Sequence, residues 1–541
     1  ADGGHVALRP AGEFTTSRRY VEDTNVLETT FHTDTGTVRV TDALSIGLNG
    51  LLPWEELVRK VDGVDGEVEI RWAVTPGDRL RTVQPWVEAR DDSALVHIGD
   101  QHLAVRCFDL GTPDVEPHRV SGTVTVKAGD AGLLALTASD ASPVMLARPA
   151  ELAEHVDLTV TRWREWSRNL RYDGEWRDAV IRSALALKLL AFTPTGAIAA
   201  APTTSLPERI GGDRNWDYRF MWVRDASFSL DAFISLGMLE ETHAAVVWLL
   251  ESLQQTEPDL HVFYRLNGQV PGAEEAVDLP GYRGSQPVRS GNGAAGQTQL
   301  GVYGDLFATI WRYVDDGHAL NPAASRLLCD LADRCCDEWT HPDAGIWELD
   351  ESRHYTISKM GCWSALDCAA RLHERGEITT GHVDRWKAER DAIKRWVTEH
   401  CWSEAKQAYS FYAGTDELDA ATLLAARNGF DTGKRLRLTI DAVRRELAHG
   451  PLLYRYTGME TAEGAFLACT FWLVSALVVT GQLDDARALM SDAVELANDV
   501  GLYAEELDPG SGEMLGNFPQ GLTHLALVNA AVDLHRAAQE K

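Results

Sequence analysis

The sequence predicts a mostly α protein, an (α/α)6 barrel preceded by an N-terminal antiparallel β-sandwich. Three observations predict it. Short runs that alternate apolar with polar residues recur from Phe14 to Ala147, the alternation fades after Ala150, and from Glu175 almost to the end the apolar residues fall at helical spacing. At 541 residues the chain exceeds one small domain and can bury large cores.

Taken in order, the stretch from Phe14 to Ala147 contains "TNVLETTFHT", "GTVRVTDALS", "GEVEIRWAVTP", "ALVHIGD", "HLAVRCFD" and "GTVTVKAGD", separated by Gly, Asp and Pro. Even, short strands of this kind predict a sandwich over 1–150. The polar segment "ELAEHVDLTVTRWREWSRNL" reads as a helical linker over 151–173. The barrel then occupies 174–541, with helices predicted to begin near Glu175, Arg224, Leu239, Gln297, Ala323, Lys359, His382, Glu417, Thr432, Gly464, Leu483 and Gln520. Twelve helices make six hairpins in a closed double ring; a solenoid of helix pairs gives the same number, but no repeat at a fixed period is present. A toroid leaves a funnel at one end, so its non-helical segments are expected to carry the chemistry.

Composition narrows the partners. Hydrophobic content of 45% and charged content of 24% are ordinary, and a net charge of -30 spread along the chain argues against nucleic acid or an anionic membrane. Eight cysteines are sparse, none forms a CxxC pair, and adjacent Cys335 and Cys336 suit neither zinc nor an ordinary bridge, which predicts a reducing, cytoplasmic setting. The opening "ADGGHVALRP" has no apolar signal region and no run reaches membrane-spanning length; the absence of a first Met leaves an upstream export signal open. The histidines, His354 and His524 among them, are scattered and read as structural, so no metal site is predicted.

The segment "RNWDYRFMWVRDASF" puts Trp216, Tyr218, Phe220 and Trp222 on one face of an extended chain, and Asp217, Arg219 and Met221 on the other. Arg224 and Asp225 stand where the spacing turns helical. Aromatic faces pack on the C–H surface of a sugar ring while Arg and Asp exchange hydrogen bonds with its hydroxyls; the bland alternative is a buried aromatic strand with one ion pair. A second segment, "VDLPGYRGSQPVRSGNGAAGQ", is too rich in Gly and Pro for regular structure and offers Tyr282, Arg283, Ser285, Arg289 and Asn292.

Two further loops hold carboxylates in apolar company. Glu348 follows Ile346 and Trp347, a setting that raises a carboxyl pKa and suits a general acid. Glu505 and Glu506 lie between Tyr503 and "DPGSG"; in extended backbone at most one enters a pocket, while the other faces solvent or braces an Arg. Inverting hydrolysis of a glycoside needs an acid and a base carboxylate roughly 6.5–9.5 Å apart, with water between.

Together, "RNWDYRFMWVRDASF", "LPGYRGSQPVRSGNGAAGQTQLGVYGD", "PDAGIWELDESRHYTISKMGCWSALD", "AEGAFLACTFWLVSAL" and "YAEELDPGSGEMLGNFPQGLTHLALV" resemble glycoside hydrolase family 15, the bacterial glucoamylases, related exo-α-glucosidases and trehalases. The resemblance runs through nearly the whole chain. It implies a sandwich followed by an (α/α)6 barrel, inverting chemistry and no cofactor. It also implies Glu348 as general acid, Glu505 as base with Glu506 beside it as a substrate-binding residue, and Arg224, Asp225 and Arg455 as the groups holding the non-reducing glucose. Tyr218 is implied near acid and water, with Trp222 and Trp347 walling a blind pocket. One departure is that no segment like "SRDGSIDWLCLPRFDSP" precedes the first strands, which implies a trimmed chain or an incomplete sandwich.

The function expected is release of terminal α-linked glucose from short α-glucosides as β-glucose, in the manner of a glucoamylase, with hydrolysis of α,α-trehalose as the alternative. A phosphorylase on a similar plan needs no second carboxylate, and a non-catalytic sugar-binding protein or a scaffold needs neither Glu motif. The expected partner is a small disaccharide or oligosaccharide, and a homo-oligomer is compatible with this reading.

Overall fold

A computed structural model of the protein describes residues 4–47, 52, 54–90, 93–140, 144, 146–257, 259–379 and 382–540. The chain divides into two compact units, residues 1–169 and 170–541.

The first unit contains strands β1 (His5–Pro10), β2 (Thr15–Tyr20), β3 (Leu27–Thr33), β4 (Gly36–Leu44), β5 (Glu55–Thr75), β6 (Trp86–Arg90), β7 (Ser93–Ile98), β8 (Gln101–Phe108), β9 (Asp114–Glu116), β10 (Arg119–Lys127) and β11 (Ala131–Ser139). Every pairing among them is antiparallel. The 21-residue β5 organises them. Its first half lies between β4 and β11, and its second half between β1 and β10. Val61 from the first half and Val68, Ile70 and Trp72 from the second enter one core with Val38, Val40, Val96, Val105 and Leu134. The Trp72 indole is satisfied there, donating to the Leu110 carbonyl at 2.8 Å.

The six alternating runs fall on β3, β4, the second half of β5, β7, β8 and β10. β11, "AGLLALTAS", shows no alternation because it is buried on both faces between β5 and β8 with a helix packed on it. That helix is α1 (Pro149–Arg168), the stretch expected as a linker. Leu152, Val156, Thr159 and Trp163 form one buried stripe against β4, β5 and β11, so α1 is part of the first unit. The Glu151 carboxylate accepts the Arg148 N–H at 2.8 Å and closes its first turn.

The second unit is helical: α2 (Arg177–Leu190), α3 (Val223–Leu236), α4 (Leu239–Thr256), α5 (Gly301–Asp315), α6 (Pro322–Glu338), α7 (Thr356–Glu374), α8 (Val383–His400), a 3-10 helix Ala420–Ala425, α9 (Lys434–Leu447), α10 (Leu467–Val479), α11 (Leu483–Val494) and α12 (Gly521–Gln539). Packing neighbours run α3 to α5, α5 to α7, α7 to the 3-10 helix, then to α10, α12 and back to α3. The other helices lie against these: α2 on α12, α4 on α3, α6 and α8 on α7, α9 on the 3-10 helix and α11 on α10. Sequence accounts for the division. α10, "LACTFWLVSALVV", is buried nearly all round, whereas α8 and α9 bury one stripe each. The helix expected from Glu417 is the short 3-10 turn, because Asn428-Gly429 and Gly433 interrupt the run soon after it begins. α6 starts cleanly, with Pro322 in its first turn and Asn321 Oδ1 accepting the Ala323 and Ala324 N–H groups at 2.9 and 2.8 Å. Among the described residues no helix is long and apolar enough to cross a membrane.

α5 and α7 come into backbone contact at Gly304 and Gly361, where a Cβ on residue 304 would meet the Gly361 carbonyl oxygen at 2.5 Å. Gly304→Val is therefore expected to force the two helices apart, costing about 1–3 kcal/mol. Thermal unfolding checks it: a midpoint equal to that of the parent protein contradicts the close contact.

Candidate active site

A cavity of ≈ 500 Å³ opens in the helical unit. Its lining comes from the segments that run into α3, α5, α7, α10 and α12, so helix N-termini with their partial positive charge converge on it. Carboxylates are favoured in such a place. The exposed Asp213 and Asp350 stand at its rim, and Arg224, Asp225, Glu348 and Glu505 lie deep inside.

Two carboxylates are held by one aromatic pair. Trp222 Nε1 donates to Glu348 Oε1 at 2.7 Å, and the Tyr218 hydroxyl donates to Glu505 Oε1 at 2.7 Å. The Tyr218 and Trp222 rings meet edge to face with centroids 5.3 Å apart. Trp222 is fixed in turn by stacking on Phe263 at 4.5 Å. Glu348 and Glu505 are thus set on neighbouring posts and do not share one.

Glu348 has φ of 59°, in the left-handed region that a Glu rarely adopts. Holding it there costs on the order of 1–3 kcal/mol and points to function. Its carbonyl is anchored by Gln297 Nε2 at 3.0 Å. Burial pushes its carboxyl pKa up, opposed by the Arg224 guanidinium and by the Trp222 hydrogen bond. Burial also pushes up Glu505, to about 8, with the nearby Glu208 carboxylate adding to the effect and Arg455 and Tyr218 opposing it. Glu505 Oε2 has no hydrogen-bond partner among the described residues. Gly516, at φ of 74°, leaves room for this side chain, since a Cβ there would lie 2.7 Å from the Glu505 Cβ.

Arg224 and Asp225 occupy the first turn of α3. Arg224 Nε donates to Asp225 Oδ1 at 2.8 Å, while Asp225 Oδ2 is unpartnered among the described residues. Trp347 lines the wall, its indole N–H bound to Asp419 Oδ1 at 2.8 Å. Asp419 also accepts the Ala421 N–H at 2.8 Å and so ties that wall to the 3-10 helix.

Arg455 lines the cavity and is gripped from behind. It pairs with both oxygens of Glu463, with Glu208 Oε2 at 3.3 Å and, at 3.9 Å, with Glu506 Oε1. Arg214 also pairs with Glu463 and lies 3.8 Å from Glu208. The carboxylates of Glu208, Glu463 and Glu506 approach within 4.8 Å of one another, an arrangement that could hold a cation. Guanidinium groups supply the positive charge in this structure.

The cavity therefore gathers Tyr218, Trp222, Arg224, Asp225, Trp347, Glu348, Arg455 and Glu505. Glu506, expected to bind substrate, does not line it. Successive side chains of extended backbone point to opposite sides, and Glu506 turns behind the wall to accept the Gly464 N–H at 2.9 Å and brace Arg455. Sequence reasoning did not single out Glu208, Arg214, Gln297, Glu463 or Gln520, all near the carboxylates. An isolated loop Glu or Gln carries no signal of what folds onto it.

A sequence model described as "Glycosyl hydrolases family 15" matches residues 174–532. The chain belongs to glycoside hydrolase family 15. It is accordingly an O-glycosyl hydrolase. This family 15 chain is 34% identical to trehalases of Mycolicibacterium smegmatis and Mycobacterium tuberculosis, over 99% of its own length and 85% and 84% of theirs. A trehalase of Thermoplasma acidophilum is 30% identical over 99% of this chain and 93% of its own. Among solved structures, a bacterial glucoamylase in complex with acarbose has a similar fold, with a TM-score of 0.72 and 14% identity over 97% of this chain and 87% of that one.

Arg455→Met would leave Glu208, Glu463 and Glu506 buried together with their main counter-charge gone. The expected loss is about 3–5 kcal/mol of stability near neutral pH. The loss should shrink as pH falls, because Arg455 holds down the raised carboxyl of Glu208, and a protonated cluster no longer needs it. Thermal midpoints at pH 5 and pH 8 test this; an equal deficit at both contradicts the ion network.

Proposed function

We propose that this enzyme is a trehalase, hydrolysing α,α-trehalose to glucose with inversion at the attacked carbon. The observation that carries the substrate is 30–34% identity to trehalases over 99% of the chain. It favours the disaccharide over the glucoamylase-type substrate range first expected, since the likeness to the glucoamylase structure bears on fold alone. We also infer that the packing cycle from α3 to α12, with the remaining helices outside it, is the (α/α)6 barrel, and that the helical unit is the catalytic domain.

In this reading Glu348 protonates the bridging oxygen and Glu505 takes a proton from water as the water attacks C1 from the opposite face. Burial supports the acid, because a raised pKa keeps Glu348 protonated until the oxygen needs its proton. Glu505 acts through its ionised form; burial pushes its pKa up to about 8, and Arg455 and the hydrogen bond from Tyr218 oppose that rise. Asp225 Oδ2 and the Arg224 guanidinium offer an acceptor and donors to hydroxyls at the pocket floor. Trp347 offers an aromatic wall, stiffened by Arg455 with its guanidinium carbon 5.4 Å from the ring centroid.

Inversion makes a specific demand on products. The attacked glucose leaves as the β anomer and the other, whose anomeric bonds are untouched, as the α anomer. Incubation with trehalose, maltose, isomaltose, maltotriose and dextrin, followed by proton NMR, is expected to show fastest glucose release from trehalose, with α and β anomers appearing together at first. Preference for maltose with only β-glucose released from its non-reducing end would return the glucoamylase-type reading. Initial α-glucose alone from trehalose would exclude inversion. Glu348→Gln and Glu505→Gln are each expected to lower kcat by roughly 10²–10⁴-fold without lowering the thermal midpoint; normal turnover in either variant removes that residue from its role.

The acidic limb of the kcat/KM profile should follow ionisation of Glu505. Since Glu208 raises the Glu505 pKa, Glu208→Gln should make Glu505 easier to ionise and move that limb to lower pH. A limb that stays fixed or moves up contradicts the assignment.

A further inference from the structure

Three spaces in the helical unit share wall residues in turn. Arg224 lies in the lining of the active-site cavity and also borders a small space of ≈ 30 Å³, shared with Gln299, Asp305, Ser358 and Asn428. Phe228 and Arg427 border that space too and belong at the same time to the wall of a third, of ≈ 260 Å³. The third space lies among the C-terminal halves of α3, α5, α10 and α12, the end opposite the catalytic carboxylates, and its rim includes the exposed Val479 and Arg536.

The small space decides whether the other two communicate. A water needs roughly 10–15 Å³ of this kind of volume and two to four polar partners, so the space has room for about two waters. Arg224, Gln299, Asp305 and Asn428 supply the partners, which makes a dry void unfavourable. Asp305 stands inside the ring on α5, within electrostatic reach of Arg224 on one side and Arg427 on the other, yet keeps part of its surface accessible. Beyond it Arg427 pairs with Asp231, and Arg312 Nε reaches the same carboxylate at 2.8 Å, so polar groups continue to the far rim.

We propose that these spaces form one internal water route, through which water enters and leaves the floor of the active site from the rear of the ring while a sugar fills the mouth, with Asp305 as the polar post at its narrowest point. Hydrolysis creates the need. By the same measure a cavity of ≈ 500 Å³ holds on the order of 40 waters, and an entering disaccharide must expel many of them. With one opening they would have to pass the incoming sugar. With two, the pocket drains from behind, and the water consumed at each turnover is replaced the same way.

The test is oxygen-17 relaxation dispersion of water on the full chain, free and with the mouth filled by a non-hydrolysable disaccharide analogue. With the route open, deep waters keep their fast exchange when the analogue binds. If filling the mouth slows that exchange to the analogue's own residence time, milliseconds or longer, the rear is closed and the proposal fails. Ser235→Trp, at the far space, and Asp305→Leu, at the narrow one, should each lengthen deep-water residence in the filled protein by about tenfold or more, whereas Asp305→Asn keeps the parent rate. Exchange as fast in folded Ser235→Trp and Asp305→Leu as in the parent would overturn it. Any analogue that fills the mouth serves, so a failure of the trehalose assignment changes which analogue is used and leaves the water measurement as it stands.

Discussion

The charge cluster around Arg455 is the constraint on which the site depends. Three buried glutamates from three separate segments, Glu208 ahead of α3, Glu463 ahead of α10 and Glu506 ahead of α12, close on its guanidinium. Burying such a cluster gains little net stability, since desolvation offsets most of the attraction. Its contribution is to position. Loops that could wander independently are tied to one cation, and the Glu505 backbone and the wall formed by Trp347 and Phe466 inherit that position.

The same cluster shapes the electrostatics of Glu505. Glu505 feels both Glu208 and Arg455, so its ionisation reflects a balance between like and opposite charge behind the wall and not the cavity alone. Glu348 is raised by burial and held down first by Arg224 and the Trp222 indole, with Arg455 a lesser influence. Two carboxylates of the same chemistry can thus differ in protonation because they rest on different supports.

Much of this was legible in the sequence, and the reason differs from place to place. Eleven of twelve predicted helices are present as α-helices, because a face repeating every three or four residues over ten or more positions is hard to mistake. The 3-10 turn at Ala420 was not, since it is set by interruptions that follow it. β11 escaped because burial on both faces removes alternation, and β2, "TTSRRY", because it buries almost nothing. Glu348, Glu505, Arg224 and Asp225 stood out by their aromatic and apolar neighbours in the chain. Glu208 and Glu463 did not, since what gives them meaning is an arginine 247 and 8 positions away, reached only after folding.

The placement of β5 carries a consequence of another kind. One strand hydrogen-bonds to β4 and β11 with its first half and to β1 and β10 with its second, so none of these four neighbours can peel away without exposing the middle of the sheet. The outer strands β2 and β6 can fray alone, but opening the centre means losing the whole unit at once. Amide protons of β5 should accordingly be the last in that unit to trade with solvent, all at a common rate, the signature of a single cooperative block.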